Sequence, residues 1–157
     1  MKNSILLMAI IYLGLTVFSC QDENESASKK ELLTNKTWKV SSKTINPAVS
    51  MNGMSISDIM LLDSEEVRNY SYKYNMDGTM ILYNQLDQNI FESKWSFNTD
   101  ETQLIHNPGI IYTYPVVGEI GLTTITVESI STDQVVLTTP YIYEGINYVI
   151  TLKYISK

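Results

Sequence analysis

The sequence predicts an all-β domain of about nine short strands, closed as an antiparallel sandwich or barrel and preceded by a short helix. Three observations carry that reading. Apolar and polar side chains alternate with a period of two through most of the chain after residue 36, as in strands with one buried face. Turn-forming residues separate the alternating runs at short intervals. The 157 residues are 44% hydrophobic and 10% aromatic, which fills one core and argues for one domain.

The chain opens MKNSILLMAIIYLGLTVFSC: Lys2, then an apolar run over residues 5–18 interrupted by Gly14 and Thr16. That run is shorter than the roughly 20 residues of a membrane-spanning helix and fits the apolar part of a secretory signal. It stops at Val17-Phe18-Ser19-Cys20. Residues 1–19 are read as a signal peptide. Residues 20–30 are read as a flexible acidic tether, because QDENESASKK offers no large apolar side chain to pack. Residues 31–157 make up the domain, although the helix expected at its start, residues 29–35, overlaps the tether and turns Leu32 and Leu33 to the body.

Residues 37–45 place Trp38 and Val40 on one face and Lys39, Ser41 and Lys43 on the other. Residues 46–66 break the alternation and contain Pro47, Gly53, Met51, Met54 and Met60, with Ser57 as N-cap of a short helix running to Leu62. The segment is either a lid offering adaptable methionine contacts or a helical plug over one barrel end. Residues 67–75 gather Tyr70, Tyr72 and Tyr74 opposite Asn69, Ser71 and Lys73, and Asp77-Gly78 supplies a tight turn. Residues 79–86 are apolar on both faces. The next strand sets Phe91, Ser93, Trp95 and Phe97 against Glu92, Lys94 and Ser96. After a turn at residues 98–101, a short strand over residues 102–106 is broken by Pro108-Gly109, and residues 110–117 form a strand with an edge or bulge at Pro115. Residues 123–130 set Ile125 and Val127 against Thr124, Thr126 and Glu128, and a turn at residues 131–133 leads to a strand over residues 135–139. The last strand alternates Ile146, Tyr148, Ile150, Leu152 and Tyr154 with Asn147, Thr151 and Lys153.

With 11 Lys+Arg against 17 Asp+Glu, the net charge is -6, so no nucleic-acid partner is expected, since phosphate backbones need a basic face. The single cysteine excludes an internal disulfide and a multi-cysteine metal site, and the single histidine excludes a multi-histidine zinc site. His106 has no second histidine or placeable nucleophile beside it and, preceding Asn107-Pro108-Gly109, is expected in an exposed turn. Asp58, Asp63, Glu65 and Glu66 lack the spacing of a calcium loop, and mutual repulsion places them on a solvated face. Asp77, Asp100 and Asp133 read as turn formers. No pair of carboxylates is singled out for glycoside hydrolysis. The expectation is therefore a protein that is not an enzyme, with no catalytic residue, no cofactor and no metal. Trp38 and Trp95 are either core anchors or pocket walls. Tyr70, Tyr72, Tyr74, Trp95, Tyr112, Tyr114 and Tyr148 are the candidate ligand-binding residues, since a ring with a polar tip suits an amphipathic molecule. Plain strand propensity accounts for the same tyrosines otherwise.

A small residue before a cysteine at the end of a signal, Ser19-Cys20, resembles the lipobox of bacterial lipoproteins, with Val17 and Phe18 where Leu and a small residue are usual. The resemblance implies acylation of the Cys20 thiol, cleavage before it, and lipid anchoring to the bacterial outer membrane. The acidic cluster Asp22, Glu23 and Glu25 resembles the surface-export signal of Bacteroidetes-group lipoproteins, or is an ordinary solvated linker, leaving the periplasmic and cell-surface faces both open. Further on come LLTNKTWKV at residues 32–40, Asp77-Gly78, KWSFNTDETQL at residues 94–104 and ITVESISTDQVVLT at residues 125–138. In this order they resemble the lipocalin-like lipoproteins of the Bacteroidetes group over nearly all of the chain after the signal. Relatives often read Gly-Lys-Thr-Trp where this chain has Asn35-Lys36-Thr37-Trp38, and many carry a barrel cysteine pair that this chain lacks. The resemblance implies an up-and-down lipocalin-like β-barrel of about eight strands, its bottom closed by Trp38, its interior filled or holding one small ligand. The expected function is a lipid-anchored, non-enzymatic binding protein for a small amphipathic or apolar ligand. The alternative is a cell-envelope interaction or structural module with a filled core.

Overall fold

In the computed structural model, which describes residues 27–157, the alternating runs form strands that are mostly longer than the sequence suggested. A helix, α1 (Lys29–Thr34), precedes β1 (Thr37–Met51) and β2 (Met54–Asp58). A strap follows, made of a 3-10 turn (Ile59–Leu62) and α2 (Glu65–Arg68). Then come β3 (Ser71–Tyr74), β4 (Thr79–Tyr83), β5 (Asn89–Phe97), β6 (Gln103–Tyr114), β7 (Gly118–Ile130), β8 (Gln134–Tyr143) and β9 (Ile146–Ser156). Every neighbour from β3 to β9 pairs antiparallel, and β1 pairs with both β3 and β9. These eight strands close an up-and-down antiparallel barrel, the all-β architecture expected, with its short N-terminal helix. Closure leaves no free sheet edge in the barrel circuit. β2 lies outside that circuit, folded back along the upper half of β1.

Strand direction sorts the turns. Those at residues 52–53, 115–117 and 144–145 share the upper rim, and those at residues 75–78, 98–102 and 131–133 share the lower end with α1. A capping box starts α1: Ser28 N–H donates to Glu31 Oε2 (2.8 Å), and Glu31 N–H donates to Ser28 Oγ (3.2 Å). The helix then seals the floor. Leu33 is buried, and Trp38, 0% exposed, donates from Nε1 to the Leu33 carbonyl at 2.7 Å. Lys29 donates to the Glu101 carbonyl and Lys73 to the Thr34 carbonyl, both at 2.8 Å.

β1 departs from strict alternation. Val40 pairs with Tyr154 but Ser42 pairs with Lys153, so β1 uses two residues where β9 uses one. This bulge reverses the inward set. Below it Trp38 and Val40 are buried; above it Lys43, Ile45 and Val49 are. Lys43, read from the alternation as outward, points into the barrel.

Residues 46–66 form neither a loose lid over the mouth nor a plug at a barrel end. β1 continues to Met51, turns through Asn52 and Gly53 (φ +51° and +80°), and returns as β2. Asp58, not Ser57, caps the following turn, accepting from Met60 N–H at 3.0 Å. The strap then covers the flank between β4 and upper β6, where β5 pairs with β6 only over Lys94–Phe97.

Pro108-Gly109 does not end its strand. It sits in a wide bulge of β6, between the Ile105↔Thr124 and Ile110↔Leu122 pairs. Gly109 is required there, since a Cβ would stand 2.4 Å from Thr123 Oγ1. His106, expected in an exposed turn, is 1% exposed, because its pairing with Trp95 holds it on the inward row with Leu104 and Ile110. Pro115 opens the rim turn and is not a bulge within a strand.

Candidate functional site

The row of tyrosines and the β1 bulge together build a polar cluster inside the barrel. Tyr72 on β3 and Tyr112 on β6 share a hydrogen bond between their hydroxyls across the interior. Tyr154 meets the Tyr72 ring edge-on at 5.3 Å. Lys43 donates to Tyr114 Oη at 3.2 Å and lies 3.7 Å from the centre of the Tyr112 ring, a cation–π contact stripped of water. Its counter-ion is Asp63 of the strap, 2.6 Å away; the two side chains are 2% and 3% exposed. Asp63 was expected on a solvated face with Asp58, Glu65 and Glu66. Those three are exposed, whereas Asp63 turns inward to neutralise a cation that the bulge has buried. Burial lowers the Lys43 pKa, and the Asp63 carboxylate opposes that shift. Burial also pushes the phenols of Tyr72, Tyr74, Tyr112, Tyr114 and Tyr154 upward, so they stay protonated donors.

His106 Nδ1 lies 3.2 Å from the Leu122 carbonyl and Nε2 lies 3.1 Å from Tyr74 Oη. A carbonyl only accepts, so Nδ1 carries the proton and Nε2 accepts from the tyrosine. Desolvation lowers the His106 pKa to about 4, against partial support from the Leu122 carbonyl. The imidazole is a neutral link within the core.

The candidate ligand residues do not converge on one cavity. Tyr72, Tyr74, Tyr112 and Tyr114 are buried in the interior cluster. Trp95 sits near the floor, its Nε1 shared by the Asn75 and Thr79 carbonyls at 3.1 Å each. Tyr148 lies at the rim and Tyr70 at the strap. Between Leu33, Trp38, Tyr74, Val135, Leu137 and Tyr154 there is no room for a water. The open volume lies elsewhere. A rim cleft of ≈ 630 Å³ is bounded by Ala48 to Asn52 of β1 and its turn, by Pro115 and Val116, and by Tyr143, Glu144, Ile146 and Tyr148. A flank cleft of ≈ 360 Å³ separates the strap from β4 and β6, and a third of ≈ 310 Å³ lies by Trp95 at the lower end. Sequence reasoning missed Lys43, Asp63 and Val49 as inward or lining residues; the β1 bulge that turns Lys43 and Val49 has no signal in the local sequence. Among the described residues no group of three His, Cys, Asp or Glu side chains converges as a metal site would need. Cys20, the signal peptide and most of the tether lie outside the described residues.

The sequence matches no protein-family model and no curated protein. Among solved structures, the chain is similar to bovine odorant binding protein in complex with a selenium-containing odorant. The two are 12% identical over 86% of this chain and 76% of that one, with a TM-score of 0.38.

Proposed function

We propose that the chain is a non-enzymatic binding protein that holds a small amphipathic molecule at the barrel mouth and is tied to the bacterial outer membrane through lipid on Cys20. The rim cleft carries the reading. Its ≈ 630 Å³ falls within the roughly 300–1,000 Å³ of small-molecule sites. Val49, Met51, Val116, Ile146 and the rings of Tyr143 and Tyr148 offer apolar walls, while Ser50, Asn52 and Glu144 offer polar groups to orient a guest. Because the lower interior has no room for a water and the cluster of Tyr72, Tyr112, Tyr114 and Lys43 also occupies the interior, the guest sits at the mouth and not deep in the barrel. The neutral probe N-phenyl-1-naphthylamine tests this by fluorescence. Val116 is half-buried and Ile146 is 48% exposed, so Val116→Glu and Ile146→Asp put charge into the cleft without opening the core. Each is expected to weaken binding by about tenfold at an unchanged melting temperature. Unaltered binding would remove the rim from consideration.

The filled interior also supports a second reading, an envelope interaction or structural module acting through its surface. Capture of a defined outer-membrane partner, with no small molecule retained in native mass spectrometry, would favour it. The cluster Asp22, Glu23 and Glu25 supports display at the cell surface, and protease shaving of intact cells separates that from a periplasmic position.

A further inference from the structure

We infer that the flank cleft beneath the strap is a second binding site, specific for an amphipathic carboxylate whose head group exchanges with Asp63 on the Lys43 ammonium. The first support is the cation itself. Lys43 is 1% exposed, inside a barrel, at a place an apolar side chain would fill. Replacing a whole buried ion pair by apolar residues is often neutral or stabilising, so stability alone is a weak reason for a cation here.

The second support is where the counter-ion comes from. Asp63 does not belong to the barrel wall. It sits between the 3-10 turn and α2, two four-residue elements. Arg68 Nε donates to its carbonyl at 3.0 Å, so a second cation on the same strap stands near a displaced Asp63 carboxylate. The receptor for an anion is complete without Asp63. Lys43 supplies the charge, and the Tyr114 hydroxyl, which accepts from Lys43 at 3.2 Å, keeps its own proton to donate. The Tyr112 ring lies 3.7 Å from the ammonium, centre to nitrogen.

The third support is the cleft. Its ≈ 360 Å³ reaches Asp63 and Tyr112 directly and is otherwise walled by Leu62, Val67, Leu82 and Ile110, among others. A carboxylate in place of Asp63 leaves its alkyl tail against those apolar side chains. Net charge at Lys43 is conserved, since one carboxylate replaces another. Neither cleft has a lysine or arginine among its lining residues, but the acid of the flank cleft, Asp63, is paired with a buried cation behind it.

The test compares decanoate with 1-decanol by calorimetry on the Cys20→Ser protein. Decanoate is expected to bind about tenfold more tightly than the alcohol. Asp63→Asn, which removes the internal competitor, is expected to tighten decanoate by about tenfold and leave 1-decanol unchanged. Lys43→Met is expected to erase the preference. NMR of labelled lysine ammonium groups needs neither variant: decanoate, and not 1-decanol, is expected to shift the Lys43 signal. Equal affinity for acid and alcohol, an unmoved Lys43 signal, or an Asp63→Asn protein no tighter for decanoate would each overturn the assignment. Ile146→Asp is expected to leave the decanoate-induced shift of the Lys43 signal intact; its loss there would move the site to the rim.

Discussion

At the residue scale, the protein keeps three unusual groups in its interior, and each makes its own demand on conditions. His106 is held neutral, with its pKa lowered from the ordinary 6.5 to about 4. The unfolded chain takes up a proton on this ring first as pH falls. The contribution of His106 is therefore whole above pH 6.5, declines as pH drops, and is gone below about pH 4; the shift corresponds to about 3 kcal/mol. Urea unfolding between about pH 7 and about pH 4 is expected to show a steeper loss of stability for the native chain than for His106→Gln. Parallel curves would mean the ring is not the source. The Lys43–Asp63 pair behaves differently, because its danger lies in being halved. Lys43→Met or Asp63→Leu alone strands one charge in the core and is expected to lose about 3–5 kcal/mol, while the double variant recovers most of it. A denaturation double-mutant cycle reads the difference.

At the element scale, β1 decides what the interior contains. Its bulge turns a lysine inward and brings the strap in behind it to supply a carboxylate. Deleting Ser42 removes the extra residue and restores unbroken alternation, with Lys43, Ile45 and Val49 still facing inward. The expected outcome is a retained cooperative thermal transition, whereas one residue inserted after Lys43 turns Ile45 and Val49 outward and is expected to abolish it. The strands that could be read from sequence are those without such an irregularity. β5 alternates as expected, with Ser93 and Trp95 buried, and β9 buries Tyr148, Ile150, Leu152 and Tyr154. α1 was legible from Leu32 and Leu33. β1 and β6 were not, because a bulge is fixed by the pairing partner. Nothing local to Ser41-Ser42 or to Asn107-Pro108-Gly109 states how many residues the neighbouring strand will set opposite. For the same reason the candidate site was half legible: the tyrosines were found, and the cation they surround was not.

At the scale of the whole molecule, the two ends of the barrel are unlike. The lower end carries α1, reached from the proposed anchor at Cys20 by a short polar stretch, and the upper end carries the rim cleft. An anchored protein is thus attached at the end opposite its opening. Each lipid CH₂ buried contributes about 0.8 kcal/mol, so two or three chains suffice for lasting attachment. Cys20→Ser is expected to release the protein from membranes and to abolish palmitate labelling; labelling that persists would contradict the anchor. The floor has a further consequence. With Trp38 locked to Leu33 and the helix strapped to the neighbouring turns, the barrel is a cul-de-sac. A guest held at the rim, as proposed, therefore leaves by the rim, and the barrel is no conduit from one end to the other.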